Sequence, residues 1–151
     1  MNFLTIAGVG PGDPSLLTLA AVSAIRDATV VSYPVSREGG DSLAAQIASR
    51  WITEDKKRMP LYFPMVDDKV ILKNAWRSGA NALMRMVHKG ERVVFLAQGD
   101  ISLFSTGSYL SKELEKYHPE CLVKLVPGVT SFSAAAAKSQ LPLAFQEEQL
   151  L

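Results

Sequence analysis

The stretch that decides the fold is Arg92–Ser102, which reads Arg-Val-Val-Phe-Leu-Ala-Gln-Gly-Asp-Ile-Ser. Within it, Arg92–Ala97 is predicted to form a strand, because uninterrupted apolar residues of this kind are typical of strands that are buried on both faces. Gly99 and Asp100 then favour a turn. Strands buried on both faces occur mainly in parallel sheets with helices on each side, so the stretch predicts an α/β protein.

On either side of this stretch, short β-rich runs alternate with longer helical patterns. Further strands are predicted at Phe3–Val9, Thr29–Tyr33, Met59–Phe63 and Leu122–Val126. Helices are predicted over Leu16–Ile25, from an Asp41 cap through Ile52, and over Asp67–His88, Gly107–Tyr117 and Thr130–Ala137. Strands separated by helices form right-handed βαβ units. The predicted fold class is therefore α/β, with a parallel sheet flanked by helices on both faces.

The composition is that of one ordinary domain of 151 residues, 48% of them apolar, which is enough to bury a core. Sixteen Lys and Arg residues against fifteen Asp and Glu residues give a net charge of +1, which argues against nucleic acid and anionic membrane as partners. Cys121 is the only cysteine, which excludes an internal disulfide and a zinc site built from several thiolates. No apolar run approaches the roughly 20 residues of a membrane span. The N-terminus also lacks a secretory signal. We therefore expect a cytoplasmic protein, and we predict no metal site.

Segments rich in glycine, proline and serine follow four of the predicted strands. They are Gly8–Asp13, Pro34–Arg37, Gln98–Ser102 and Pro127–Ser131. Each one leaves the carboxyl end of a strand, which is the edge where open α/β sheets bind ligands. A single segment of this kind is explained as well by the needs of a turn. The four together predict a ligand site.

The first of these segments matches neither common pattern for binding phosphate. It lacks the Gly-Lys-Ser/Thr of a P-loop, and Asp13 stands where a dinucleotide-binding fingerprint has its last glycine. Asp13 and Asp100 also place negative charge at the sheet edge, where a carboxylate competes with phosphate for the amides of a helix N-terminus. We therefore expect a small ligand with a cationic or hydroxyl-rich face that lies against glycine backbone.

Three ordered motifs resemble the signatures of the tetrapyrrole methylases. They are GVGPGDP (Gly8–Pro14), GDISLFST (Gly99–Thr106) and VPGVTSFSAAAA (Val126–Ala137). The resemblance covers essentially the whole chain. Within that superfamily, the sequence is most similar to the precorrin-2 C(20)-methyltransferases of cobalamin biosynthesis. The details that favour this subfamily are YPVS (Tyr33–Ser36), LYFPM (Leu61–Met65), Trp76 and the FST that ends the second motif.

The resemblance implies S-adenosylmethionine as methyl donor and C-methylation of a tetrapyrrole, precorrin-2 at C20, as the reaction. The residues that it assigns to the cofactor are Pro11, Gln98, Gly99, Asp100, Leu103, Ser105, Thr106, Thr130 and Ser131. Asp100 is also the candidate catalytic residue, either for orienting a ligand or for accepting a proton. Gly10 and Arg37 are candidates for binding substrate, Arg37 because the substrate carries many carboxylates. Ile101 departs from the proline that the family usually carries after Gly-Asp.

The resemblance further implies a cofactor cleft between two α/β domains, of which this chain resembles the first. Residues 1–140 are expected to form that domain, and residues 141–151 to begin the linker to a second one. On this view the chain alone is inactive and the full-length enzyme is a homodimer.

Two alternatives stay open at this point. One is a methyltransferase of the same superfamily that acts on another substrate. The candidates for that substrate are uroporphyrinogen III, a diphthamide precursor and ribosomal RNA. The balanced charge argues against the RNA. The other is a non-catalytic binding or dimerisation module.

Overall fold

The computed structural model describes residues 3–150 and shows one parallel sheet with helices on both faces. Its strands are β1 (Phe3–Gly8), β2 (Val30–Val35), β3 (Lys57–Tyr62), β4 (Val93–Ala97) and β5 (Leu122–Val126). Its helices are α1 (Leu19–Asp27), α2 (Leu43–Ile47), α3 (Lys69–His88), α4 (Thr106–Tyr117) and α5 (Ser131–Ser139). The predicted fold class is confirmed. Within the described part of the chain, no helix combines the length and the apolar character that a bilayer span requires.

The sheet order, β3-β2-β4-β1-β5, determines where a ligand can bind. Strand β4 lies between β2 and β1, and every pairing in the sheet is parallel. After β1 the chain packs α1 on one face of the sheet, and after the neighbouring β4 it packs α4 on the other face. Adjacent strands whose connections leave to opposite faces open a crevice at their carboxyl ends. The fold thus places such a crevice above β1 and β4.

Strand β4 is the centre of the core, because all of its residues are buried. On one face, Phe95 packs with the apolar sides of α3 and α4. On the other face, Val94 and Leu96 pack with α1 and α2. This alternation explains the unbroken apolar run in the sequence, since both faces of the strand are covered.

Helix starts follow capping chemistry, in which a short polar side chain accepts a hydrogen bond from a free backbone N–H of the first turn. The caps of α1 to α5 are Thr18, Ser42, Asp68, Ser105 and Thr130. The prediction of Asp41 as the cap of α2 is wrong, because Ser42 accepts the N–H of Ala45. The helix predicted to run through Ile52 is also wrong. It ends at Ile47, and a separate 3₁₀ turn over Ser49–Trp51 follows it.

Strand β2 is longer than predicted and includes Pro34. Only Val30–Ser32 pair with β4, so beyond Ser32 the strand is bordered by β3 alone. A proline is tolerated there because part of the strand behaves as an edge. Pro34 consequently lies at the carboxyl edge of the sheet rather than in a loop.

Replacement of Phe95 tests the core. Phe95 has no exposed surface and meets the Phe63 ring edge-on, with 6.2 Å between ring centroids. We expect Phe95→Ala to lower the free energy of unfolding in urea by about 3–5 kcal/mol, because the cavity cannot collapse between two helices and a sheet. The control, Leu19→Ala, removes a side chain that is 88% exposed and should change stability by less than about 0.5 kcal/mol. Equal losses in the two variants would contradict this description of the core.

Candidate functional site

A cleft of about 530 Å³ opens at the carboxyl edge of the sheet, above β1 and β4. All nine residues predicted to bind the cofactor line it: Pro11, Gln98, Gly99, Asp100, Leu103, Ser105, Thr106, Thr130 and Ser131. They come from the connections that follow β1, β4 and β5 and from the first residues of α4 and α5. The structure therefore brings together segments that are up to 120 positions apart in the sequence, from Pro11 to Ser131.

Glycine backbones in close contact hold these connections together. A Cβ atom placed on Gly8 would lie 2.6 Å from the carbonyl oxygen of Gly99 and 2.8 Å from the backbone nitrogen of Gly128. A Cβ atom on Gly128 would collide with the same Gly99 oxygen. Any side chain at Gly8 or Gly128 would thus push the turns apart. Glycine at these two positions is required by the close approach of three backbones.

Gly10 and Gly99 join the first and second turns in an isolated antiparallel bridge. The N–H of Gly10 donates to the Gly99 carbonyl at 3.1 Å, and the N–H of Gly99 donates to the Gly10 carbonyl at 2.8 Å. Both residues have positive φ angles, 80° and 67°, which glycine adopts without steric cost. Gly10 is buried and does not line the cleft, so its assignment to substrate binding stays a prediction.

Asp100 ties the second turn to the third. One carboxylate oxygen accepts the backbone N–H of Gly128 at 2.9 Å, and the other accepts the backbone N–H of Ser102 at 3.1 Å and the Ser102 hydroxyl. Partial burial alone would raise the pKa of Asp100. Hydrogen bonds from Ser102, Gly128 and Ile101 outweigh that effect and place the pKa below its usual value of 3.8. Asp100 is therefore an ionised side chain that is already hydrogen-bonded within the wall of the cleft.

Two helices begin at the cleft and place the positive ends of their dipoles there. Ser105 caps α4 by accepting the N–H of Gly107 at 3.1 Å, and Thr130 caps α5 by accepting the N–H of Ser133 at 3.2 Å. No lysine or arginine is among the residues that line the cleft. The part of the chain from 3 to 150 contains no cluster of three His, Cys, Asp or Glu side chains arranged as metal ligands. The cleft thus offers backbone, hydroxyl and helix-terminus donors together with one engaged carboxylate.

Sequence reasoning did not assign four further lining residues, Pro34, Ala97, Phe104 and Phe132. Pro34 was expected in a loop at this edge, and Ala97 ends the strand that precedes the Gly-Asp turn. Phe104 and Phe132 lie inside the second and third motifs, where polar and glycine residues dominated the interpretation. With Leu103, these two rings add an apolar part to the cleft.

Arg37, the second candidate for substrate binding, does not line the cleft. It is exposed in the loop between β2 and α2, where its carbonyl accepts the N–H of Gly40 at 3.0 Å. The stem of its side chain packs over Gly40, where a Cβ atom would lie 2.6 Å from the Arg37 Cγ atom. Its role in binding substrate stays a prediction.

The fold and the cleft define an α/β protein with an open cleft at the carboxyl edge of a parallel sheet, the edge where proteins of this class bind ligands. The family described as Tetrapyrrole (Corrin/Porphyrin) Methylases matches residues 4–151. The chain belongs to this family, as the three motifs indicated.

The chain is also similar to individual methyltransferases. The chain is 38% identical to the cobalt-precorrin-2 C(20)-methyltransferase of Salmonella typhimurium over 93% of its own length and 58% of that protein. It is 31% identical to the uroporphyrinogen-III C-methyltransferase of Cyanidium caldarium, over 94% of this chain and 51% of that one. The crystal structure of the methyltransferase CobJ superposes with a TM-score of 0.72 at 28% identity, covering 97% of this chain and 54% of CobJ. The chain therefore spans little more than half the length of these relatives.

The close approach of the glycine backbones leads to a test at Gly128. We expect Gly128→Ala to destabilise the protein by about 1–3 kcal/mol in urea denaturation, because the new methyl group displaces the Gly99 carbonyl. Gly12→Ala is the matched control, since a Cβ atom at Gly12 has no neighbour within 4 Å. If both variants unfold at the same urea concentration, the turns are not held together as described.

The hydrogen bonds of Asp100 lead to a test against pH. Its pKa is lower in the folded chain than its usual 3.8, so the ionised side chain stabilises the fold above about pH 4, and this contribution is lost as the pH falls through the folded pKa. We expect Asp100→Asn to be less stable than wild type at pH 7 by about 1 kcal/mol or less, because the carboxylate is only partly buried. In urea denaturation at several pH values, the difference should narrow below pH 3.8. A difference that stays the same from pH 7 to pH 3 would contradict this role of the ionised side chain.

Proposed function

We propose that this protein carries out S-adenosylmethionine-dependent C-methylation of a tetrapyrrole, with precorrin-2 as acceptor and C20 as the methylated carbon. The observation that carries the proposal is the meeting of all nine expected cofactor residues in one cleft of a tetrapyrrole methylase fold. The similarity to a cobalt-precorrin-2 C(20)-methyltransferase supports the choice of acceptor.

The residues of the cleft fit S-adenosylmethionine. The donor is a sulfonium cation that carries an anionic carboxylate, a ribose and an adenine. The absence of lysine and arginine from the lining suits the cation, and the N-termini of α4 and α5 suit the carboxylate. Thr130 and Ser131 provide hydroxyls and backbone for the polar groups, while Leu103 provides apolar contact. Gly99, which lines the cleft without a side chain, lets a ligand lie directly against the main chain.

In this proposal the chain acts by binding and positioning. S-adenosylmethionine, when bound, would supply an electrophilic methyl group: an electron-rich carbon of the acceptor would form the new bond as the carbon–sulfur bond breaks, with S-adenosylhomocysteine as the leaving group and one proton lost from the acceptor to water. Positioning the reacting atoms in line, within roughly 3–3.5 Å, provides much of the acceleration in reactions of this kind. No nucleophilic side chain is needed, because the acceptor carbon is itself the nucleophile.

Asp100 fits a positioning role better than that of a proton acceptor. Its carboxylate already accepts hydrogen bonds from Gly128 and Ser102, and its lowered pKa makes it a weak base. We infer that Asp100 holds the Gly99 and Gly128 turns at the spacing that the donor requires.

The substrate proposal includes Arg37 as an anchor for an acceptor carboxylate, since the exposed Arg37 loop follows β2 at the same edge of the sheet as the cleft. We further propose that the full-length enzyme is a homodimer.

Uroporphyrinogen III is the second candidate acceptor, because the chain is also similar to a uroporphyrinogen-III C-methyltransferase. Both acceptors are tetrapyrrole macrocycles rich in carboxylates, so the same cleft chemistry serves either.

The function is tested with the full-length protein. We expect calorimetry to detect binding of S-adenosylhomocysteine, and we expect precorrin-2 incubated anaerobically with S-adenosylmethionine to gain the mass of one methylene group. If uroporphyrinogen III gains this mass and precorrin-2 does not, uroporphyrinogen III replaces precorrin-2 as the proposed acceptor. A protein that binds no S-adenosylhomocysteine is not a methyltransferase of this kind.

Two threonine caps provide a matched pair of variants for that assay. Thr130 caps α5 inside the cleft, and Thr18 caps α1 outside it. Either change to alanine should cost about 1 kcal/mol of stability. Only Thr130→Ala should also weaken binding of S-adenosylhomocysteine.

A further inference from the structure

Phe104 holds its side chain entirely in solvent at the cleft. The ring is fully exposed, at 106% of its reference area, although it lines the cleft together with Leu103 and Phe132. The last two are each 44% exposed. An isolated aromatic ring in water forgoes the contacts that usually stabilise a large apolar side chain. Within residues 3–150, no packing contact accounts for the position of the ring.

The backbone of Phe104 is also unusual, with φ at +51°. This left-handed conformation is uncommon for residues other than glycine and is a genuine outlier for a bulky side chain. Gln140 is the other non-glycine residue with positive φ between residues 3 and 150, at +56°. Gln140 has an ordinary structural reason, because it ends α5 as a left-handed cap whose N–H bonds back to the helix. Phe104 ends no helix.

The left-handed conformation of Phe104 has one clear structural reason, which is the start of α4. The next residue, Ser105, is buried and must turn inward to cap α4. The left-handed turn lets the backbone enter the helix while the ring stays outside, over the cleft. A glycine would form this turn and let Ser105 cap α4 without strain. The capping of α4 therefore does not explain why a phenylalanine stands here, and we look for the reason in its side chain. Strained residues of this kind concentrate at ligand sites.

From these observations we propose that Phe104 is a binding residue for the methyl acceptor, with its ring packing against the pyrrole rings of the macrocycle at the mouth of the cleft. This inference rests on the proposed function and adds to it the residue that contacts the acceptor. A macrocycle presents a large apolar face, and offset contact with an aromatic ring is favourable for such faces.

The position of Phe104 favours the acceptor over the donor. The more enclosed parts of the lining, such as Ser105 and Ala97, are buried, while Phe104 is the most exposed lining residue. A ligand that lies against the backbone of Gly99 meets the enclosed part of the lining. A larger ligand that extends beyond the cleft meets its rim, where the ring stands.

The experiment compares the variants Phe104→Gly and Gln140→Gly of the full-length protein. Each change places glycine at a left-handed position, so each should leave the melting temperature unchanged or raise it. Two ligands are titrated into each variant, S-adenosylhomocysteine by calorimetry and the air-stable porphyrin uroporphyrin III by quenching of tryptophan fluorescence. The porphyrin titration is done with S-adenosylhomocysteine present.

We expect Phe104→Gly to raise the dissociation constant for uroporphyrin III about tenfold and to leave that for S-adenosylhomocysteine within about twofold of wild type. Gln140→Gly should alter neither constant. Phe104→Leu should lie between Phe104→Gly and wild type, because it restores part of the apolar surface.

The outcomes separate this inference from the function on which it rests. If wild type binds both ligands and Phe104→Gly binds the porphyrin equally well, Phe104 does not contact the acceptor and the proposed function still stands. If Phe104→Gly loses S-adenosylhomocysteine instead, the ring belongs to the donor and the inference is overturned. If wild type binds neither ligand, the proposed function and this inference fail together.

Discussion

The cleft depends on one close approach, in which the backbones of Gly8, Gly99 and Gly128 come nearer to one another than any side chain would allow. Asp100 then spans the same gap with a hydrogen bond to the N–H of Gly128. Together these contacts tie the ends of β1, β4 and β5 into one continuous wall. The rigid layer beneath them is the sheet itself, since β4 is buried along its whole length and packs against helices on both faces. Wider spacing of the turns would leave the nine residues predicted to bind the cofactor on separate loops.

The same contacts define which chemistry suits the cleft. Its wall combines main-chain and hydroxyl groups with apolar side chains, its only lining carboxylate is already hydrogen-bonded, and its lining contains no cationic side chain. Such a surface is suited to holding a cationic donor in a fixed place. Methyl transfer to an electron-rich carbon depends on position more than on acid or base catalysis. In the role that we propose for it, Phe104 extends the site outward, from the part that suits the donor to the part that suits a larger acceptor.

Sequence patterns predicted those elements whose signals are local. Strand β5 begins and ends where it was predicted, and the caps Asp68 and Thr130 stand at or next to the predicted starts of α3 and α5. The error at α2 has a physical origin. Asp41 and Ser42 are both good capping residues, and only tertiary burial of Ser42 selects between them. The apolar spacing that extended α2 to Ile52 reports burial, and Ile52 is indeed buried, but it reaches the core after a 3₁₀ turn rather than on a continuous helix.

By itself, the sequence determined the α/β class, the residue types at the carboxyl edge and, through its three motifs, membership in the tetrapyrrole methylases. Periodicity, turn chemistry and motifs are properties of neighbouring residues, so they can be read along the chain. Only the tertiary structure placed β4 between β2 and β1, gave Asp100 a partner 28 positions away and left the ring of Phe104 in solvent. These features depend on contacts between segments far apart in the chain, and a linear pattern carries no record of which segments meet.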